Sequence, residues 1–158
     1  CLHSVNPNSI IEFAKKLAEI RAKGNSVYVI GNGGSQANAS HLVLHLRSAG
    51  IRAFDLLCDT AWLTAESNDA YYDRAAEMLL KVLEKAGDCL IIISGSGKSP
   101  NILACLHGFK GLKLGLLGSD GGYAKDFCDY TVAVSESQYG PVEDTHSAVI
   151  HILQEALK

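Results

Sequence analysis

The chain has 158 residues, of which 47% are hydrophobic and 20% are charged, and its formal net charge is -3. This length and balance are typical of a globular protein with a substantial core, so we expect residues 1–158 to form a single domain. Lysine and arginine are dispersed along the sequence, which argues against a nucleic-acid partner and against a membrane-surface patch. No apolar run approaches the roughly 18 residues of a membrane span, and no signal peptide is visible.

The cysteines are scattered and form no CxxC pair. They are Cys1, Cys58, Cys89, Cys105 and Cys128. Several stand within apolar strand or helix patterns, which predicts buried free thiols and no disulfide framework. We therefore expect a cytoplasmic protein.

Short apolar runs alternate with segments of helical periodicity along the chain. The predicted strands are 26–30, 52–57, 89–94, 113–117 and 130–134. The predicted helices are 8–23, 35–47, 59–67, 69–85, 100–109, 123–127 and 141–158. This alternation predicts a parallel α/β sheet covered on both faces. Such sheets bind ligands at the carboxyl ends of their strands, near a topological switch point.

A glycine-rich turn follows the first predicted strand and reads Gly31-Asn32-Gly33-Gly34-Ser35. Glycines let the backbone approach a ligand closely, and the helix that follows offers free N–H groups and a positive dipole end. A dinucleotide-binding turn would need a third glycine where Gln36 stands. The remaining alternatives are a ligand-binding turn and a tight strand–helix turn without a ligand.

A second turn, Ser94-Gly95-Ser96-Gly97-Lys98-Ser99, follows the third predicted strand. Its end resembles that of a nucleotide-binding P-loop, but the first glycine of that motif would fall on Ile92, inside the strand. Hydroxyls, glycines and a helix start still favour phosphate binding, to which Lys98 could add a charge. The alternative is a flexible serine–glycine loop.

Histidines at helical spacing indicate either a metal site or solvated surface side chains. His41 and His45 are four residues apart, and Glu143 and His151 are eight apart, so each pair lies on one helix face. If the two helices meet, in one chain or across an oligomer, three imidazoles and a carboxylate converge, a ligand set that suits zinc or a similar divalent ion. His146 points partly away from that face, and His3 and His107 have no assigned role.

Five segments in this order and spacing resemble the sugar isomerase (SIS) domain family, and most closely its phosphoheptose isomerase branch. The resemblance covers nearly the whole chain. The segments are Gly31 to Ser35 with His41, then Ser67-Asn68-Asp69, then Ser94-x-Ser96-Gly97-x-Ser99, then Gly118-Ser119-Asp120-Gly121-Gly122, and finally His146-x4-His151-Ile152-Leu153.

The resemblance implies a three-layer αβα sandwich with a five-stranded parallel sheet. It also implies a cytoplasmic homotetramer with sites between subunits and a small sugar phosphate as the ligand. The implied substrate-binding residues are Asn32, Gly33, Gly34, Ser35, Asn68, Asp69, Ser94, Gly95, Ser96 and Ser99. The implied zinc ligands are His41, His45, Glu143 and His151.

The expected reaction is aldose–ketose isomerisation, such as sedoheptulose 7-phosphate to D-glycero-D-manno-heptose 7-phosphate, through an enediol or enediolate. His151 is the first candidate for acid–base work, with Glu143 or His45 as its partner. The resembling isomerases carry a catalytic glutamate at the position of His45, a glutamine at Glu143 and a threonine at Gly95. These differences keep a second hypothesis open, a non-catalytic SIS module that binds phosphosugars as a sensor or regulator.

Overall fold

The computed structural model describes residues 1–158, in which five strands alternate with six helices. The strands are β1 (Ser26–Ile30), β2 (Arg52–Asp55), β3 (Cys89–Ser94), β4 (Leu112–Gly118) and β5 (Tyr130–Val134). The helices are α1 (Pro7–Lys23), α2 (Gly34–Ser48), α3 (Thr60–Asp69), α4 (Tyr72–Leu83), α5 (Pro100–Gly108) and α6 (Tyr139–Ala156). Short 3-10 helices lie at Leu2–Ser4 and Tyr123–Phe127.

The five strands form one parallel sheet in the order β2-β1-β3-β4-β5. The chain leaves β1 toward one edge to form β2 and then returns to the other side of β1 to form β3. The direction of winding therefore reverses between β1 and β3. A ligand is expected in the crevice outside the carboxyl ends of these two strands.

Both faces of the sheet are covered. Ile91 and Ile93 of β3 point into a cluster of 26 buried residues beneath α1, α2 and α6, while Leu90 and Ile92 point into a cluster of 13 beneath α4 and α5. A strand that alternates between two apolar layers must be apolar at every position, which explains the continuous run in β3. The predicted αβα sandwich with five parallel strands is confirmed.

Two boundaries of strands and helices differ from those predicted. Strand β2 ends at Asp55 instead of continuing to 57, because the Asp55 Oδ1 accepts a hydrogen bond of 3.0 Å from the Leu57 N–H and turns the chain. The break between α3 and α4 falls at Ala70 and Tyr71, not at Asn68. Helix α3 has no buried residue, and the indole Nε1 of Trp62 ties it to α4 by donating 2.9 Å to the Ala75 carbonyl.

The cysteines are all free, but they do not share one environment. Cys89 and Cys105 are buried and Cys128 is partly buried, as predicted, whereas Cys1 and Cys58 are exposed. Cys58 lies in the surface turn that follows β2, so the prediction of a buried thiol is wrong there. The helices are all too short or too polar to cross a lipid bilayer.

Candidate active site

A cavity of about 260 Å³ lies outside the carboxyl ends of β1 and β3, where the winding of the sheet reverses. The turns after these two strands form most of its wall, and the start of α6 closes it. The lining residues are Asn32, Gly33, Gly34, Ser35, Ile93, Ser94, Gly95, Ser96, Ser99, Tyr139 and Glu143.

The first turn brings the N-terminus of α2 to the cavity. Gly33 has a φ of 55°, which L side chains rarely adopt, and it directly precedes α2. At Gly31 a Cβ atom would lie 2.4 Å from the Ser35 carbonyl oxygen, so the close turn requires glycine there too. The turn therefore offers backbone N–H groups and a helix N-terminus, both of which favour an anion.

The second turn is held in shape by its own serines. The Ser94 Oγ accepts a hydrogen bond of 2.9 Å from the Gly97 N–H, and the Ser96 Oγ accepts one of 3.3 Å from the Lys98 N–H. Ser99 precedes α5, yet its side chain makes no capping bond, so its hydroxyl is available to a ligand. Lys98 is exposed and does not line the cavity.

Glu143 is the only carboxylate that lines the cavity. Its side chain lies directly against Gly34, where an added Cβ would come within 2.1 Å of the Glu143 Oε2. The Asn38 Nδ2 donates 2.9 Å to the Glu143 carbonyl and so fixes this turn of α6 against α2. Hence Gly34 leaves the space that the carboxylate occupies beside the start of α2.

Three histidines from α2 and α6 form a second group, which we call the histidine cluster: His41, His45 and His151. Their ligand nitrogens all lie within 4.8 Å of one another, and the Nε2 atoms of His41 and His45 are 2.8 Å apart. Tetrahedral zinc at its usual bond lengths spaces nitrogen ligands about 3.3 Å apart. Three imidazoles at these separations fit zinc. The two helices, whose meeting the sequence left open, meet within one chain.

Glu143 does not join the histidine cluster. This differs from the four-ligand set expected from helix spacing. Glu143 and His151 are on one face of α6, but the Glu143 side chain turns toward Gly34 and the cavity. The spacing of residues along a helix fixes the direction of the Cβ atom, whereas the side-chain torsions decide where the carboxylate ends.

The surroundings of His45 favour its neutral imidazole. Partial burial, together with the charges of His41 and His151, lowers the pKa of His45 from its ordinary value. Zinc binds the neutral form of histidine, so this environment is compatible with metal ligation near neutral pH.

Eight of the ten predicted substrate-binding residues line the cavity, and Asn68 and Asp69 do not. These two are exposed at the end of α3, where the Asn68 Nδ2 donates 2.9 Å to the Asp69 Oδ1. His146 is fully buried, and neither ring nitrogen has a hydrogen-bond partner. His3 and His107, which had no assigned role, are exposed.

The sequence interpretation missed three residues with polar side chains at this site. Tyr139 lines the cavity from the first turn of α6, with its ring against Gly95. The exposed Tyr72 and the buried Asn101 both hydrogen-bond to Asn32 without lining the cavity themselves. No local pattern marks Tyr72 or Asn101, because both reach the site only through the packing of α4 and α5.

The fold and the cavity define the class of protein: a doubly wound α/β protein with a small cavity suited to an anion at its switch point. Residues 3–116 match the family model of the SIS domain. The chain is also 35% identical over 153 residues to the phosphoheptose isomerase of Trichlorobacter lovleyi, an alignment that covers 91% of this chain and 78% of that relative.

Solved structures agree with the sequence comparison. Phosphoheptose isomerases from Neisseria gonorrhoeae and Francisella tularensis superpose with TM-scores of 0.91 and 0.90. Each is 26% identical to this chain, with coverage of 96% of this chain and 85% of the other. The chain belongs to the SIS domain family, in the branch of the phosphoheptose isomerases. The family, the fold and the isomerase class predicted from the sequence are therefore confirmed.

Proposed function

We propose that this protein, a single SIS domain over residues 1–158, isomerises a phosphorylated sugar. The reaction is sedoheptulose 7-phosphate to D-glycero-D-manno-heptose 7-phosphate, or a related aldose–ketose pair. One observation carries the proposal: the cavity at the switch point combines serine hydroxyls and two helix starts with a single carboxylate, that of Glu143. The first features suit a phosphate, and the last suits proton transfer.

The phosphate end of the substrate binds in the second turn. Ser94, Ser96 and Ser99 line that end of the cavity, and no lysine or arginine accompanies them. Hydroxyl and backbone N–H donors must therefore hold the phosphate, helped by the N-terminus of α5. The sugar chain then runs along Asn32, Gly33 and Gly34 toward Glu143.

Isomerisation moves one proton between C1 and C2 and another between the two oxygens on those carbons. Glu143 is placed to carry the carbon-bound proton, because its carboxylate lines the cavity and makes no side-chain hydrogen bond. His151 and His45 remain acid–base candidates when no metal occupies the histidine cluster. A residue that ligates a metal tightly is not free to act as a base. Each of these histidines can therefore serve as a metal ligand or as an acid–base residue, but not as both at once.

Zinc fits the histidine cluster, with His41, His45 and His151 as its protein ligands. When bound there, the metal would polarise the carbonyl group of the substrate and stabilise negative charge on its oxygen. Glu143 then remains on the cavity wall as the proton carrier. His41 and His45 supply two of the three protein ligands, so the loss of either imidazole should weaken metal binding strongly.

The test is turnover of sedoheptulose 7-phosphate, with and without added zinc, followed in deuterated water. Proton transfer at carbon predicts incorporation of solvent deuterium at the carbon that receives the proton. Glu143→Gln should lower kcat by at least about 100-fold, as expected for loss of a general base. Asp144→Asn, an exposed neighbour on the same helix, is the matched control. Full activity in Glu143→Gln would remove Glu143 from the mechanism.

Binding without turnover would support the second candidate, a phosphosugar-binding module. The double variant His45→Glu with Glu143→Gln separates the two, because it restores the residues of the resembling isomerases. An active wild type supports an enzyme in its present form. Activity that appears only in the double variant would support a binding module derived from an enzyme.

The proposal includes a cytoplasmic homotetramer with its sites between subunits. Its support is that Asn68 and Asp69 end a helix without buried residues and lie outside the cavity of their own chain. Five free cysteines favour a reducing compartment. Light scattering should give the mass of four chains. Mixing inactive Asp69→Ala with inactive Glu143→Gln should restore activity only if sites form between subunits.

A further inference from the structure

Asn32 is held on the cavity wall by Asn101 and Tyr72. Its Nδ2 donates 2.9 Å to the Asn101 Oδ1, and the Asn101 Nδ2 donates 2.9 Å back to the Asn32 Oδ1. The Tyr72 hydroxyl donates 2.7 Å to the same Asn32 Oδ1. Asn101 is only 2% exposed, so solvent does not compete for these two hydrogen bonds.

Counting donors and acceptors shows what Asn32 offers to a ligand. A carboxamide oxygen has two lone pairs, and Asn101 and Tyr72 occupy both of them. The Nδ2 has two hydrogens, of which Asn101 takes one. Asn32 lines the cavity, and the side-chain group that it has left for a ligand is one N–H donor, with no free acceptor.

Tyr72 is well suited to impose this polarity. Burial, followed by the neighbouring Asp73 carboxylate, raises the pKa of Tyr72, so the phenol keeps its proton near neutral pH. A protonated phenol directs its O–H at the carbonyl oxygen of Asn32. The three side chains come from separate parts of the fold: the turn after β1, the start of α4 and the start of α5. Their meeting is therefore a product of tertiary packing.

We propose that Asn101 and Tyr72 are positioning residues that turn the Nδ2–H of Asn32 toward the reacting oxygen of the substrate. The inference rests on the proposed isomerase function. In aldose–ketose isomerisation this oxygen gains negative charge as the enediolate forms. A fixed N–H donor stabilises that charge, whereas the amide oxygen in the same place would repel it.

The first experiment compares Tyr72→Phe with Tyr71→Phe. Tyr72→Phe removes only the hydroxyl that holds the Asn32 oxygen, so kcat should fall about tenfold while KM rises only about threefold. This split is expected because the donor acts mainly on charge that develops in the transition state. Tyr71 is exposed and adjacent, and Tyr71→Phe should leave both constants unchanged. Equal kcat values for the two variants would overturn the proposal.

Asn101→Asp tests the hydrogen bond that Asn101 donates to the Asn32 Oδ1. The carboxylate can still accept from the Asn32 Nδ2, but it cannot donate to the Asn32 Oδ1. We expect a loss in kcat of roughly 100-fold, the scale measured for one lost oxyanion donor.

If both residues act through Asn32, Tyr72→Phe should cause no further loss in an Asn32→Ala background. The same fractional loss in both backgrounds would show that Tyr72 acts elsewhere.

A binding experiment separates failure of this inference from failure of the proposed function. If the wild type binds the sugar phosphate without turnover, calorimetry compares its affinity for sedoheptulose 7-phosphate with its affinity for inorganic phosphate. Tyr72→Phe should weaken binding of the sugar phosphate at least threefold and leave inorganic phosphate unaffected. Unchanged affinity for both ligands would overturn the role of Tyr72 whatever reaction the protein catalyses.

Discussion

Replacing His146 by leucine should make the protein more resistant to acid. The imidazole is fully buried, and both ring nitrogens lack a hydrogen-bond partner. Burial lowers the pKa of His146 from 6.5 to about 4, an effect that the nearby Leu117 backbone partly opposes. Leucine has a similar size and carries no polar atom, so it removes the titration while keeping most of the packing.

Proton linkage gives the direction and the size of this change in the free energy of unfolding. Between pH 6.5 and about 4 the unfolded chain binds a proton at His146 and the folded protein does not, so the free energy of unfolding falls as the pH falls. At 1.36 kcal/mol per pKa unit, the full loss is about 3 kcal/mol, and about 2 kcal/mol is lost by about pH 5. Above pH 6.5 the effect is absent.

Thermal and urea unfolding at about pH 7.5 and about pH 5 measure this difference. For a chain of this size, about 2 kcal/mol corresponds to a Tm change of roughly 4–8 °C. The wild type should lose that much more than His146→Leu on acidification. His3→Leu is the control, because His3 is exposed. An equal decline in the wild type and His146→Leu would refute the reasoning.

Three further predictions concern the cavity and its support. Gly95→Ala should raise KM several-fold, because the new Cβ would lie 2.8 Å from the Tyr139 ring; in a Tyr139→Ala background the same change should have no effect. Ser99→Ala should weaken phosphate binding about tenfold, the scale of one hydrogen bond to a charged group. Its Tm should stay constant, since the Ser99 side chain caps nothing. Trp62→Phe should speed hydrogen exchange across α3, because the indole bond to Ala75 is lost. Unchanged exchange would show that packing alone holds that helix.

Local physics explains why much of the fold was predictable. The continuous apolar run of β3 and the glycines of the first turn depend on periodicity and backbone freedom, which neighbouring residues along the chain determine. The same holds for His41 and His45, whose spacing places them on one face of α2 whatever packs against it. The turn at Asp55 was missed because its side chain accepts the Leu57 N–H, a detail that apolar patterning does not register.

The amino-acid sequence by itself determined the alternating strands and helices, the two glycine-rich turns at the sheet edge, and the spacing that puts His41 with His45 and Glu143 with His151 on one helix face each. Only the tertiary structure decided that Glu143 turns into the cavity and away from the histidine cluster, and that Tyr72 and Asn101 set the polarity of Asn32. The physical reason is distance along the chain. Periodicity constrains a residue and its near neighbours, whereas side-chain direction and hydrogen-bond partners depend on elements that meet only when α2, α4, α5 and α6 pack around the sheet.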